Sequence, residues 1–124
     1  MNETWKFEEF PSALTSQTAV EQLRTRINEG QLETWLTSSS GRLLAIVTNG
    51  QRAMVMLLDD DADPGQHAVD PAADGKSDGF VLANGQHDEY ANKDTIPLSE
   101  ALRIVRHLVD EGNPPSDVTW AIDR

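Results

Sequence analysis

The sequence predicts an α+β fold: a mostly antiparallel sheet of about five to seven strands with two amphipathic helices packed on it. Three observations predict it. Apolar residues recur at helical spacing in two stretches, one near each end of the chain. Short alternating or apolar runs lie between them. Turn dipeptides, Asn49-Gly50 and Asn84-Gly85, join those runs without room for the helical crossovers that a parallel array requires.

In chain order, Thr4-Trp5-Lys6-Phe7-Glu8 alternates at period two and reads as a short strand burying Trp5 and Phe7. From Ser16 to Glu29, Ala19, Val20, Leu23 and Ile27 form one helical stripe, with Ser16 as N-cap and Gly30 in the stop position. Leu32, Thr34 and Leu36 then alternate with Glu33, Trp35 and Thr37, and Ser39-Ser40-Gly41 ends that strand. Leu43–Val47 and Ala53–Leu58 are apolar runs joined by Asn49-Gly50, a pair suited to a type I′ turn because both residues tolerate positive φ. Apolar residues on both faces of these two strands predict central positions covered on each side.

Residues 59–79 read as a long acidic loop, with two prolines, three glycines and seven aspartates. Phe80–Ala83 resumes as a strand, Asn84-Gly85 turns it, and Gln86–Ala91 returns. Leu98, Ala101, Leu102, Val105, Leu108 and Val109 trace the second helix, stopped by Gly112 and then Pro114-Pro115. Val118, Trp120 and Ile122 alternate with Thr119 and Ala121 to give a last strand with Trp120 facing inward.

With 124 residues the chain has room for one domain, 1–124. It carries 10 basic and 21 acidic residues, a net charge of −11, so phosphate backbones and anionic membrane surfaces repel it. Direct nucleic-acid binding and membrane association are therefore not expected. Cysteine is absent, which removes disulfides, thiolate metal sites and cysteine nucleophiles. Met1–Pro11 has no apolar run of the kind a secretory signal needs, and no stretch is long and apolar enough to span a bilayer, so a cytoplasmic location is the expectation.

Residues for covalent chemistry are sparse. No Gly-x-Ser-x-Gly elbow, phosphate loop or dinucleotide fingerprint occurs, and neither a cofactor nor a catalytic residue is expected. His107 falls on the polar side of the second helix and reads as a solvated residue. His67 lies in the acidic loop. His87 beside Asp88 and Glu89 is the one grouping that could titrate or serve a small hydrolase, although three polar neighbours in a turn are usually only a wet turn. Asp59, Asp61 and Asp63, with Asp70, fall at positions one, three, five and twelve of an EF-hand loop, but Pro64 stands where that loop needs glycine and the flanks are not helical. No metal site is assigned.

The charge map carries more. Residues 59–94 hold ten acids against two lysines, a local charge of −8 out of −11. Such a run is either a solubilising face or an electrostatic docking surface for a basic partner. Trp35, opposite Leu32 and Leu36, is core if covered and an aromatic anchor if not. Tyr90 beside Asp88 and Glu89 has the same two readings.

The C-terminal third resembles immunity protein family one of bacterial polymorphic toxin systems. The resemblance lies in Ile96-Pro97-Leu98-Ser99-Glu100-Ala101-Leu102, the turn Gly112-Asn113-Pro114-Pro115, and Val118-Thr119-Trp120. Pro97, Glu100, Ala101, Gly112, Pro115, Val118 and Trp120 match the family's places. Gly85–Tyr90 looks like its glycine, acid and aromatic segment, with Gln86 or His87 where an aromatic usually follows the glycine. The resemblance implies a small, cytoplasmic, non-enzymatic protein that binds a cognate toxin domain, often a nucleic-acid deaminase or nuclease, and blocks its cleft. A toxin that handles nucleic acid presents a basic cleft, which an acidic surface can occupy. On this reading Asp59, Asp60, Asp61, Asp63, Asp74 and Asp78 supply charge, Asp88, Glu89 and Tyr90 a neighbouring contact, and Trp35 an anchor, in a one-to-one complex with a basic toxin C-terminal domain. The alternative is an acidic adaptor, calcium-dependent or general, for some other basic protein.

Overall fold

The computed structural model describes residues 3–123. The apolar runs on either side of Asn49-Gly50 form β3 (Leu43–Thr48) and β4 (Arg52–Leu58). They pair antiparallel over six residue pairs, Leu43 opposite Leu58 to Thr48 opposite Ala53. Outside β3 lie β2 (Glu33–Ser38) and then β1 (Trp5–Phe7); outside β4 lie β5 (Gln66–Val69) and β9 (Thr119–Ile122), with β8 (Ile96–Pro97) pairing the start of β4. Every pairing is antiparallel. The main sheet thus has seven strands, and β6 (Lys76–Val81) with β7 (His87–Ala91) forms a separate two-stranded hairpin.

Helices α1 (Ser16–Asn28) and α2 (Leu98–Glu111) pack together and cover one face of the sheet. Leu44, Ile46, Val55 and Leu57 meet that layer, with Ala19, Leu23, Ala101, Ile104, Val105 and Leu108 opposite them, all but fully buried. Trp5 and Phe7 are each 1 % exposed, as the opening alternation predicts. The opposite face is covered as well: Ala45 and Val47 are buried, and β6 packs against β3 with Phe80 fully enclosed. The two-sided coverage read from the central strands is met by helices on one side and a hairpin on the other.

Several local expectations change. The N-cap of α1 is Thr15, not Ser16: its hydroxyl accepts from the Thr18 amide, and Thr18 answers with a bond from the Thr15 amide, a reciprocal box that Ser16 cannot make from inside the helix. The β3–β4 turn is not type I′. Among the described residues only glycines have positive φ. The Asn49 carboxamide oxygen instead accepts the amides of Gln51 and Arg52, at 2.9 and 2.8 Å, and Gly50 alone turns left-handed. Residues 59–79 are not one long loop, since they contain β5 and most of β6. Asp78-Gly79 sits in a register shift between Ser77 and Phe80, so a sequence that reads as loop is an irregular strand. Trp120 packs on the core as expected, with Val118, whereas Ile122, paired with Gln66 at the end of an outer strand, is 60 % exposed.

Arg52 ties the connections together. Its guanidinium donates to Thr95 Oγ1 at 2.7 Å, Asp70 Oδ2 at 2.9 Å, and the carbonyls of Asn92 and Thr95. One side chain thereby fixes the ends of β5 and β7 to the start of β4. Arg42 plays a similar part at the termini, pairing with Glu3 and donating to the Gly112 carbonyl.

Candidate docking surface

The sheet face opposite the helices carries Trp35, Ala45, Met56 and His67 in one row, because these residues are register partners across β2, β3, β4 and β5. One step along β2 from Trp35 on the same face is Glu33. Its carboxylate accepts the Trp35 indole N–H at 2.9 Å and the Ala83 amide of the β6–β7 turn at 2.9 Å. The Tyr90 ring lies 4.7 Å from Phe80, centre to centre, and its hydroxyl donates to Asp88 Oδ2 at 2.8 Å. Burial, the bond to Asp88 and the charges of Asp88 and Glu33 all raise the Tyr90 phenol well above its ordinary range. Asp88 is held below the usual carboxylate range by the Gln86 amide and by Tyr90.

Two of the expected contact residues, Trp35 and Tyr90, lie near Glu33, which the sequence does not single out, and Asp88 joins them through the Tyr90 hydroxyl. Trp35 takes neither extreme reading: it is half-buried, its indole oriented by Glu33 and its surface lining a cleft of about 500 Å³ between the end of α1 and the β6–β7 turn. Glu89 is exposed on β7 and lies 3.5 Å from Lys76. Asp78 is exposed in the β6 bulge, where its carbonyl accepts from Asn49.

The remaining acids stand apart. Asp59, Asp60, Asp61 and Asp63 form the β4–β5 turn, at the opposite end of β4 from Asn49-Gly50, about 20 Å away by strand rise. Two of these carboxylates shape the turn: Asp63 accepts the Asp59 amide and Asp60 the Ala62 amide, each at 2.9 Å. Gly65 closes it with φ of +83°, where a Cβ would lie 2.8 Å from the Leu57 carbonyl oxygen. Asp74, exposed before β6, has its carbonyl bonded by Asn92. The expected single acidic patch is thus two groups at opposite ends of one sheet face, because strands separate residues that a loop would have kept together.

Strands flank the Asp59–Asp63 turn, so it lacks the helix pair of an EF-hand, and no group of three or more acid or imidazole side chains is gathered for a metal among the described residues. His87 is exposed at the start of β7, while Asp88 is engaged by Gln86 and Tyr90. His107 is not simply solvated, since its Nδ1 lies 2.5 Å from the Asn113 carbonyl beyond the end of α2.

His67, expected in a loop, is in β5 with Nδ1 at 2.8 Å from Asp123 and Nε2 at 3.1 Å from Asp94. Burial opposes its charge, but the bonds and charges of Asp123 and Asp94 outweigh that and raise the imidazole above its ordinary value. A raised folded-state value contributes stability that is present below the unfolded pKa of about 6.5 and is lost as pH rises through the folded one. Urea melts of the wild type and His67→Gln should accordingly differ more at pH 6 than at pH 8.5, and equal differences would refute the pairing.

No helix among the described residues is long and apolar enough to cross a membrane. No protein-family model matches the chain, and no curated protein sequence matches it.

Proposed function

We propose that this chain is an immunity protein that neutralises a toxin domain, one acting on nucleic acid, by binding it one to one in the cytoplasm and occluding a basic cleft. The observation that carries the reading is a half-buried tryptophan with acids on ordered elements at both ends of its sheet face, an apolar anchor framed by charge. The C-terminal resemblance supports it. Its matched residues do structural work: Ala101 is buried against the sheet, Gly112 is the left-handed C-cap of α2, and Glu100 joins Arg103, which also pairs with Asp117.

The test is co-expression with the C-terminal domain of whichever toxin-like gene neighbours this one, followed by calorimetry of the purified pair. Growth rescue with nanomolar binding is expected, and absence of both overturns the reading. Within the pair, changing Asp60, Asp61 and Asp63 to lysine should slow association by about tenfold at low salt, because steering charge acts on encounter. Trp35→Ala should speed dissociation, at a cost of about 2 kcal/mol. Rates unchanged by the lysine variant would remove the β4–β5 turn from the interface, and unchanged dissociation would return Trp35 to a packing role.

A further inference from the structure

Backbone direction identifies an open sheet edge inside the cleft beside Trp35. In a strand, the N–H and C=O of one residue point to the same side, and successive residues alternate. The bonds from the Ser38 amide to the Arg42 carbonyl and from the Thr48 amide to the Leu32 carbonyl, each 2.9 Å, show that even-numbered residues of β2 face β3. Glu33, Trp35 and Thr37 therefore face the other way, toward β1. Lys6 of β1 stands opposite Thr37, and the Glu8 amide reaches the Trp35 carbonyl at 3.0 Å. There the N-terminal segment turns off, Phe10 bonding back to Phe7. The Trp35 amide and both backbone groups of Glu33 are left without a partner among the described residues.

The cleft of about 500 Å³ runs along this edge, with Glu8, Glu9 and Arg26 on one wall and Ala83 of the hairpin turn on the other. Thr34, 2 % exposed and with a hydroxyl that has no hydrogen-bond partner among the described residues, also lines it. The charge of the cleft is specific. Arg26 is committed to Glu9 and lies over the Phe7 ring at 4.0 Å. Glu33 is held by two neutral N–H groups and has no cationic partner among the described residues. A second copy of this chain would bring the same acids and a net charge of −11 to the junction, so like charge disfavours it as occupant.

We propose that the Glu33–Trp35 edge of β2 receives an extended, lysine- or arginine-bearing segment of a protein partner, which pairs as an added strand where β1 ends. Main-chain bonds to Glu33 and Trp35 would give the segment its register, and its alternate side chains would meet Glu33 and the indole. The inference deepens the toxin-binding reading and rests on it only for the partner being a basic protein.

The experiment uses the whole chain without a toxin. A displayed library of random peptides is selected on it, and amide exchange is followed by NMR with the best synthetic peptide bound. Enrichment of peptides with basic residues at alternate positions is expected, together with exchange slowed by about tenfold or more at the Glu33 and Trp35 amides. N-methylation of one alternating set of peptide amides should weaken binding by about tenfold, while methylation of the other set leaves it unchanged. No enrichment, protection elsewhere, or equal effects of the two methylated sets overturns the added strand. A toxin domain that binds at nanomolar affinity without protecting these two amides overturns it too, while leaving the immunity reading intact; peptides that protect them while the neighbouring toxin fails to bind would do the reverse.

Discussion

Phe80→Ala is expected to destabilise the protein by about 3 to 4 kcal/mol, the range for truncating an enclosed aromatic that the surroundings cannot collapse around. Phe80 is fully buried and packs against Tyr90 with the ring planes tilted by 59°, on the face of the sheet away from both helices. Its loss removes the main apolar contact of the hairpin and leaves the Ala45 and Val47 side of β3 uncovered. Phe80→Leu keeps most of the volume and should cost under about 1.5 kcal/mol. Denaturant melts of the three proteins check both values. A Phe80→Ala protein within 1 kcal/mol of the wild type would mean that the hairpin contributes nothing as a second layer.

Arg52→Ala is the other large effect, about 3 kcal/mol and of order 10 °C in Tm, by thermal melting. Truncation leaves the Asp70 carboxylate and the Thr95 carbonyl without their donor and removes one from the Thr95 hydroxyl oxygen, in a place where Thr95 is fully buried, while the Asn92 carbonyl keeps its bonds from Thr95. Lysine should restore only a fraction, since one ammonium cannot reach four acceptors arranged for a planar fork. Full rescue by Arg52→Lys would show that charge rather than the fork is what matters.

What the sequence makes legible is what local periodicity encodes. The α2 stripe and its Gly112 stop, the two central strands and the burial of Trp5 and Phe7 all follow from neighbours within a turn or a pleat. β5 escapes such reading because only Ala68 of Gln66–Val69 is buried, and its outer partner β9 lies more than fifty residues on. β6 escapes because Asp78-Gly79 is tolerated only through the register shift. At the candidate site, Trp35, Tyr90 and Asp88 are visible as residue types, whereas Glu33, which bonds the indole, carries no signal until the Ala83 amide is brought to it across fifty positions.

The pairing of β5 with β9 also orders events in time. Gln66 meets Ile122 and Val69 meets Thr119, so a loop of some fifty residues must close before this pair forms, whereas the β3–β4 and β6–β7 pairings close over a few. The hairpins are free to form early, whereas β9 joins β5 only once that long loop has closed. On the ribosome, the outer edge of β5 stays bare until Thr119–Ile122 emerge. Its pairing groups are then open to strands of other chains during synthesis, and β9 is the cover that ends the exposure.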